Sequence, residues 1–255
     1  MAETVFEIND PGTGSWKPVP HVDEAQMREV DRIAVQEFQL GILQMMENAG
    51  RNLALMALGY LNQHPTQTRT QKVLVVAGSG GNGGGGICAA RHLHNRGIEV
   101  QLVLTKPPEE LRGAARAQLA ILQAAGVSPA IQSQAEDLIV EAHLVLDAIL
   151  GYSLQGAPRG AAKKLIEVLN GAGKPVISLD LPSGLDATSG EPPGVCVRAT
   201  QTMSLALPKT GLRNPLAGEL FLADIGIPPE VYLPLGIQVE PFFGDQYVLA
   251  LRCAK

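Results

Sequence analysis

Residues 73–86 read Val73-Leu74-Val75-Val76-Ala77-Gly78-Ser79-Gly80-Gly81-Asn82-Gly83-Gly84-Gly85-Gly86, an apolar run that empties into glycine. The apolar part is the length of a buried strand, and Ile87 to Arg96 beyond the glycines reads as a helix. Between Gly80 and Gly86 only Asn82 carries a side chain. A strand that ends this way exposes backbone N–H groups, because no Cβ blocks a ligand's approach. The following helix adds its positive end at the same place, so the turn suits a phosphate or another anion. A nucleotide is the ligand this turn leads one to expect. It is not a P-loop, since no Lys-Ser/Thr follows, and its spacing does not clearly give the GxGxxG fingerprint.

Outward from that turn the same alternation repeats. Val100–Leu104, Leu144–Ala148, Pro175–Leu179, Gln201–Ala206 and Glu219–Ala223 read as strands, with helices over Arg112–Ala125 and Ala161–Asn170. The strands are continuously apolar, as expected where helices cover both faces of a parallel sheet. The fold class is therefore α/β, a doubly wound, mostly parallel Rossmann-like sheet with two extra N-terminal helices. The first of these starts at Val22-Asp23 and aligns Met27, Val30, Ile33 and Ala34. The second runs from about Leu40 to Leu61, and its Met-rich face reads as core or subunit interface. No linker, repeat or low-complexity tract breaks the chain, so residues 1–255 read as one domain, with 1–21 a loosely ordered lead-in and 236–255 a C-terminal tail.

Composition narrows the class. The chain has 255 residues, 45% of them hydrophobic, enough for a substantial core. A net charge of −5 without a basic block argues against nucleic acid as a partner. The three cysteines, Cys88, Cys196 and Cys253, are far apart and lack CxxC spacing, which argues against a disulfide framework or a zinc site. No apolar run approaches the ~20 residues of a membrane span, and the acidic N-terminus is unlike a signal peptide. A soluble cytoplasmic protein with no membrane partner is expected.

In an open parallel sheet, ligands bind at the carboxyl ends of the strands. Four such ends carry polar groups: the glycine turn with Asn82, Thr105-Lys106, Asp147 with the loop to Gly156, and Asp180 to Asp186. Asp147 sits inside Val145–Leu150, where a carboxylate is costly unless paired or coordinated. Lys106 alone is an ordinary loop lysine, Asp180 and Asp186 can cap turns, and Arg91 reads as helix surface. His92 and His94, two apart on a helix, cannot share a ligand.

The segments Gly78–Gly86, Asp147–Gly156 and Ser178–Asp186, with Leu43–Gly50 and Ala206–Lys209, resemble the NAD(P)H-hydrate epimerase family of the YjeF N-terminal domain. The resemblance covers roughly residues 22–235. It implies an isomerase of nicotinamide nucleotide repair that interconverts the R and S forms of hydrated NADH and NADPH (NADHX and NADPHX), a homodimer, and one bound potassium ion (K+). By motif it makes Asn82, Asp147 and Ser183 the potassium ligands. Gly81, Asn82, Gly83, Gly84 and Gly85, then Gly151, Tyr152, Ser153, Leu154, Gln155, Gly156 and Ala157, and Asp180 become substrate-lining, and Lys106 and Asp147 catalytic. Chemically, the ring hydroxyl needs an acid as it leaves and a base to activate water on the other face, and a carboxylate can serve as both.

Two positions depart from the family pattern Gly-x-Gly-Asn-Asn-Gly-Gly-Asp-Gly: Gly81 replaces its first Asn and Gly85 its Asp. A catalytically impaired nucleotide-binding or scaffold protein of the same fold is therefore the alternative reading. A dehydrogenase would want an acidic residue ending the second strand, where Lys106 follows instead. Many relatives continue into a dehydratase domain, and with the sequence ending at Lys255 a separate dehydratase is expected to act downstream.

Overall fold

A computed structural model describes residues 5–65 and 70–254. In chain order the elements are β1 Phe6–Asn9, β2 Trp16–Val19, α1 Glu24–Gln36, α2 Ile42–Gln63, β3 Lys72–Ala77, α3 Gly81–His94, β4 Glu99–Leu104, α4 Gly113–Ala124, α5 Ala135–Glu141, β5 Leu144–Ala148, α6 Gly160–Gly171, β6 Val176–Leu179, β7 Gln201–Leu205, β8 Glu219–Ala223 and β9 Val248–Cys253. The strands form one sheet in the order β2-β1-β9-β8-β7-β6-β5-β3-β4. From β4 to β8 every neighbouring pair is parallel.

The continuous apolarity of the central strands follows from that arrangement. Val73 and Val75 of β3 face Leu53, Ile87, Leu93 and Leu119, brought by α2, α3 and α4. Leu74 and Val76 face Ile139, Leu165 and Ile166, brought by α5 and α6. Every second residue of one strand thus serves each layer. The start of α1 is set by Asp23, whose side chain accepts from the Gln26 backbone N–H at 2.8 Å while Gln26 returns a bond to the Asp23 N–H.

The ends of the chain correct the sequence reading. Within the expected lead-in, β1 and β2 form an antiparallel hairpin, and the expected tail supplies β9, which bridges that hairpin to β8. Phe6 and Ile8 are fully buried, Glu7 between them binds Arg252 at 2.8 Å, and the Arg252 guanidinium lies 4.1 Å from the centre of the Trp16 ring. Four-residue strands carry too few alternations to stand out against Gly and Pro neighbours, and their partner lies some 240 positions away in sequence. Residues 1–4 and Lys255, the outermost parts of the expected lead-in and tail, lie outside the described residues. Among the described residues no helix is long and apolar enough to cross a membrane.

Candidate active site

The chain leaves β3 to build β4 on one side and returns to build β5 on the other, so β3 marks the switch in strand order. There a cavity of about 690 Å³ opens, walled by the segments that follow β3, β4, β5, β6 and β7 and by α1 and α2. This is where an open α/β sheet binds its ligands.

Half of the glycine turn proves to be helix. α3 begins at Gly81, with Gly80 as its N-cap, rather than beyond the run. Gly78, Ser79, Gly80, Gly81, Asn82 and Gly85 line the cavity, whereas Gly83, Gly84 and Gly86 are buried beneath it. Their smallness serves packing: a Cβ on Gly83 would lie 1.9 Å from the Gly78 carbonyl oxygen. At Gly85, where the family pattern carries Asp, a Cβ would lie 2.7 Å from the Leu179 Cδ2, a side-chain tip that must move to admit it. At Gly81 nothing stands within 4 Å. The start of the helix therefore borders the cavity, which exposed Lys106 after β4 and Arg159 before α6 also line.

Apolar side chains also line the cavity: Met27, Val35, Met45, Met46 and Ala49 of α1 and α2, with Leu205 and Ile225. The Met-rich face of α2 thus belongs partly to the cavity as well as to the core. Set among these side chains are four polar groups. Lys209, 1% exposed, holds Asp180 by an ion pair of 2.5 Å and donates to the Leu205 carbonyl at 2.8 Å. The Tyr152 hydroxyl donates to Asp31 at 2.5 Å, and the Lys209 ammonium lies 6.0 Å from the Tyr152 ring centre. Asp180 holds φ +69°, a left-handed backbone that costs a non-glycine residue of order 1 kcal/mol. Burial pushes the Asp31 carboxyl up, with the Tyr152 hydrogen bond and Lys209 pulling the other way. Burial and then the Asp31 charge push the Tyr152 phenol up.

Asp147 stands apart. It is fully buried and presents no side-chain surface to the cavity. Its oxygens accept from Ser178 Oγ at 2.8 Å, Ser183 Oγ at 2.5 Å, the Ser183 N–H at 2.9 Å and the Ile149 N–H at 3.3 Å. Burial pushes its carboxyl up and these donors oppose that. Ser183 Oγ also accepts the Leu150 N–H at 2.8 Å, and Asn82 Nδ2 donates to the Leu150 carbonyl at 3.0 Å, so Asn82, Asp147 and Ser183 converge on one loop. Asp147 thus ties together the loops that follow β5 and β6, behind the residues that line the cavity.

The remaining expected residues divide between two places. Lys106, Gly151, Tyr152, Ser153 and Asp180 line the main cavity, while Leu154, Gln155 and Ala157 line a neighbouring depression of about 370 Å³. Gly156 makes the turn between them at φ +70°. Asp186 has a structural role, accepting from the Thr188 and Ser189 N–H groups at 3.0 and 2.7 Å. Sequence reasoning missed Asp31 and Lys209. Asp31 follows Met27 by four residues and precedes Val35 by four, so a carboxylate standing in an apolar helical stripe was the available signal. Lys209 sits in the quoted Ala206–Lys209 segment without an assigned role.

Outside the cavity, Glu47, Cys88 and His92 bring their ligand atoms within 4.8 Å of one another. The Arg91 guanidinium binds Glu47 at 2.5 Å and Cys88 Sγ at 3.4 Å, placing a positive charge where a metal ion would have to sit.

Residues 42–211, two thirds of the chain, match the family described as YjeF-related protein N-terminus. The chain belongs to this family. Among curated relatives, a protein of Dehalogenimonas lykanthroporepellens named NAD(P)H-hydrate epimerase is 49% identical over 95% of this chain and 97% of its own. A bifunctional NAD(P)H-hydrate repair enzyme of Moorella thermoacetica is 38% identical over 82% of this chain, which spans only 41% of that longer protein. A solved yeast protein structure superposes with a TM-score of 0.77 over 91% of this family member and 100% of the yeast chain. At 24% identity that likeness speaks for the α/β fold alone.

Proposed function

We propose that this protein is an NAD(P)H-hydrate epimerase, an isomerase that interconverts the R and S forms of hydrated NADH and NADPH. The observation that carries this reading is one cavity that brings a helix N-terminus and two exposed cations together with apolar side chains and buried carboxylates. The α3 N-terminus with Lys106 and Arg159 suits a diphosphate. The apolar lining suits the hydrated ring, whose nitrogen can expel the hydroxyl to leave a cationic ring that nearby carboxylates stabilise. The near-full-length likeness to a protein named for this activity supports the same conclusion.

Asn82, Asp147 and Ser183 would hold a potassium ion. Support lies in the donor set, an amide, a carboxylate and a hydroxyl, all able to offer hard oxygens and already converging on one loop. Bound there, the ion would supply fixed positive charge beside the glycine turn. A homodimer is proposed through the exposed apolar side chains Phe38, Ile42 and Leu43 around the start of α2. A separate dehydratase would consume the S form.

The alternative is a nucleotide-binding protein without turnover, favoured by glycine at position 85, where Leu179 occupies the space an Asp would need. Incubating purified R hydrate with the protein, with and without potassium, and separating the epimers by chromatography tests the choice. Accumulation of the S form faster than in protein-free buffer supports the epimerase. Nucleotide binding without faster conversion would replace it with the binding protein.

A further inference from the structure

We propose that Asp31, carried by α1 and held by the Tyr152 hydroxyl on the cavity wall, is the catalytic residue that exchanges a proton with the hydroxyl of the hydrated ring. The inference rests on the epimerase reading and adds to it a residue that lies ahead of the matched family segment, residues 42–211.

Three observations lead to it. Asp147 presents no face to the cavity and accepts from four donors, whereas Asp31 and Asp180 are carboxylates on the cavity wall. Asp180, the other buried carboxylate on the wall, is held by the Lys209 ammonium. Among the described residues Asp31 meets no cation in hydrogen-bond contact; its partner is the phenol of Tyr152, and burial pushes its carboxyl up. The two carboxylates of one cavity thus have different partners, a lysine ammonium and a phenol. The charged and titratable groups that act on this pair are Lys209, Asp180, Tyr232 and, through Tyr152, Arg28.

The chemistry balances as follows. The Asp31 carboxyl gives its proton to the ring hydroxyl as the carbon–oxygen bond breaks. The ring nitrogen's lone pair forms a carbon–nitrogen double bond, and one water molecule departs. The cationic ring then faces two carboxylates, Asp31 and Asp180. Water adds to the same carbon from the other face, the double-bond electrons return to nitrogen, and the added water's spare proton passes to bulk water. Asp31 regains a proton from bulk water, so none is gained or lost overall. In the reverse direction Asp31 acts as the base for water adding on its own face, as microscopic reversibility requires.

The test compares wild-type protein, Asp31→Asn and Tyr152→Phe, measuring kcat and KM for both epimers across pH with folding followed by circular dichroism. Asp31→Asn is expected to lower kcat on the order of a hundredfold while changing KM far less. In the wild type kcat is expected to fall on the alkaline side as Asp31 loses its proton, and Asp31→Asn to lack that limb. Tyr152→Phe removes a bond that stabilises the Asp31 anion, so its limb is expected at higher pH than in the wild type. Folded Asp31→Asn with wild-type kcat overturns the proposal. So does an unmoved limb in Tyr152→Phe, which serves if Asp31→Asn does not fold. Wild-type protein inactive on either epimer would overturn the epimerase reading itself, an outcome distinct from active wild type with an indifferent Asp31→Asn.

Discussion

Replacing Lys209 by Met keeps an unbranched side chain one atom shorter while removing the ammonium that faces Asp180. Both side chains are nearly inaccessible, at 1% and 5% exposure, and their charged atoms lie 2.5 Å apart. At an effective dielectric of about 20, the gross attraction at that distance is roughly 7 kcal/mol, most of it offset by the desolvation of both ions. Removing one partner of a buried pair costs about 3–5 kcal/mol, because the other charge is left uncompensated. A destabilisation of about 3–5 kcal/mol is therefore expected for Lys209→Met in urea titration at pH 7. For a chain of this size that corresponds to a fall in Tm of about 6–20 °C. Asp180→Asn combined with Lys209→Met should recover most of the loss, since no charge is then stranded. A single variant within about 1 kcal/mol of wild type at pH 7, or a double variant as unstable as the single, would show that the pair does not bear on stability as described.

Two further outcomes concern the packing of α2 and α3. Gly83→Ala would drive a Cβ to 1.9 Å from the Gly78 carbonyl oxygen, a backbone atom that cannot turn aside, and should lose more than about 3 kcal/mol or fail to fold, whereas a Cβ at Gly81 meets nothing within 4 Å, so Gly81→Asn should leave Tm within about 2 °C. Thermal melts of both variants check this. Burial raises the Glu47 carboxyl, but hydrogen bonds from Arg91, His92 and Cys88 outweigh it and bring it down to about 2. A depressed carboxyl contributes stability above its unfolded value and loses it as pH falls, so acid unfolding between about pH 4.5 and 2 should be milder in slope for Glu47→Gln than for wild type.

The central fold was legible because its signal repeats. The strands over 73–77, 100–104, 144–148, 175–179 and 219–223 are mostly apolar, with Gln101, Asp147, Ser178 and Glu219 as their polar members, and parallel pairing between two helix layers favours such runs. What escaped was short or distant in sequence. β1, β2 and α5 are only four, four and seven residues long, and β9 has meaning only through its pairing with β8 and β1. In the site, spacing revealed where each loop begins but not which way its side chains face. Asp147 and Asp180 both follow apolar strands in the sequence, yet one is enclosed by serines and the other meets Lys209 in the cavity wall. Asp31 and Tyr152, 121 positions apart, become partners only when α1 folds over the end of β5. The glycine run was read as a ligand loop, and half of it turned out to admit neighbouring backbone and side chains.

The most direct measurement is conversion of purified R hydrate in heavy-oxygen water, followed by chromatography coupled to mass spectrometry. The account predicts that the protein accelerates formation of the S epimer and that each S molecule carries one oxygen from the solvent, because the original hydroxyl leaves as water. Conversion at the protein-free rate, or S product retaining its original oxygen, would contradict it.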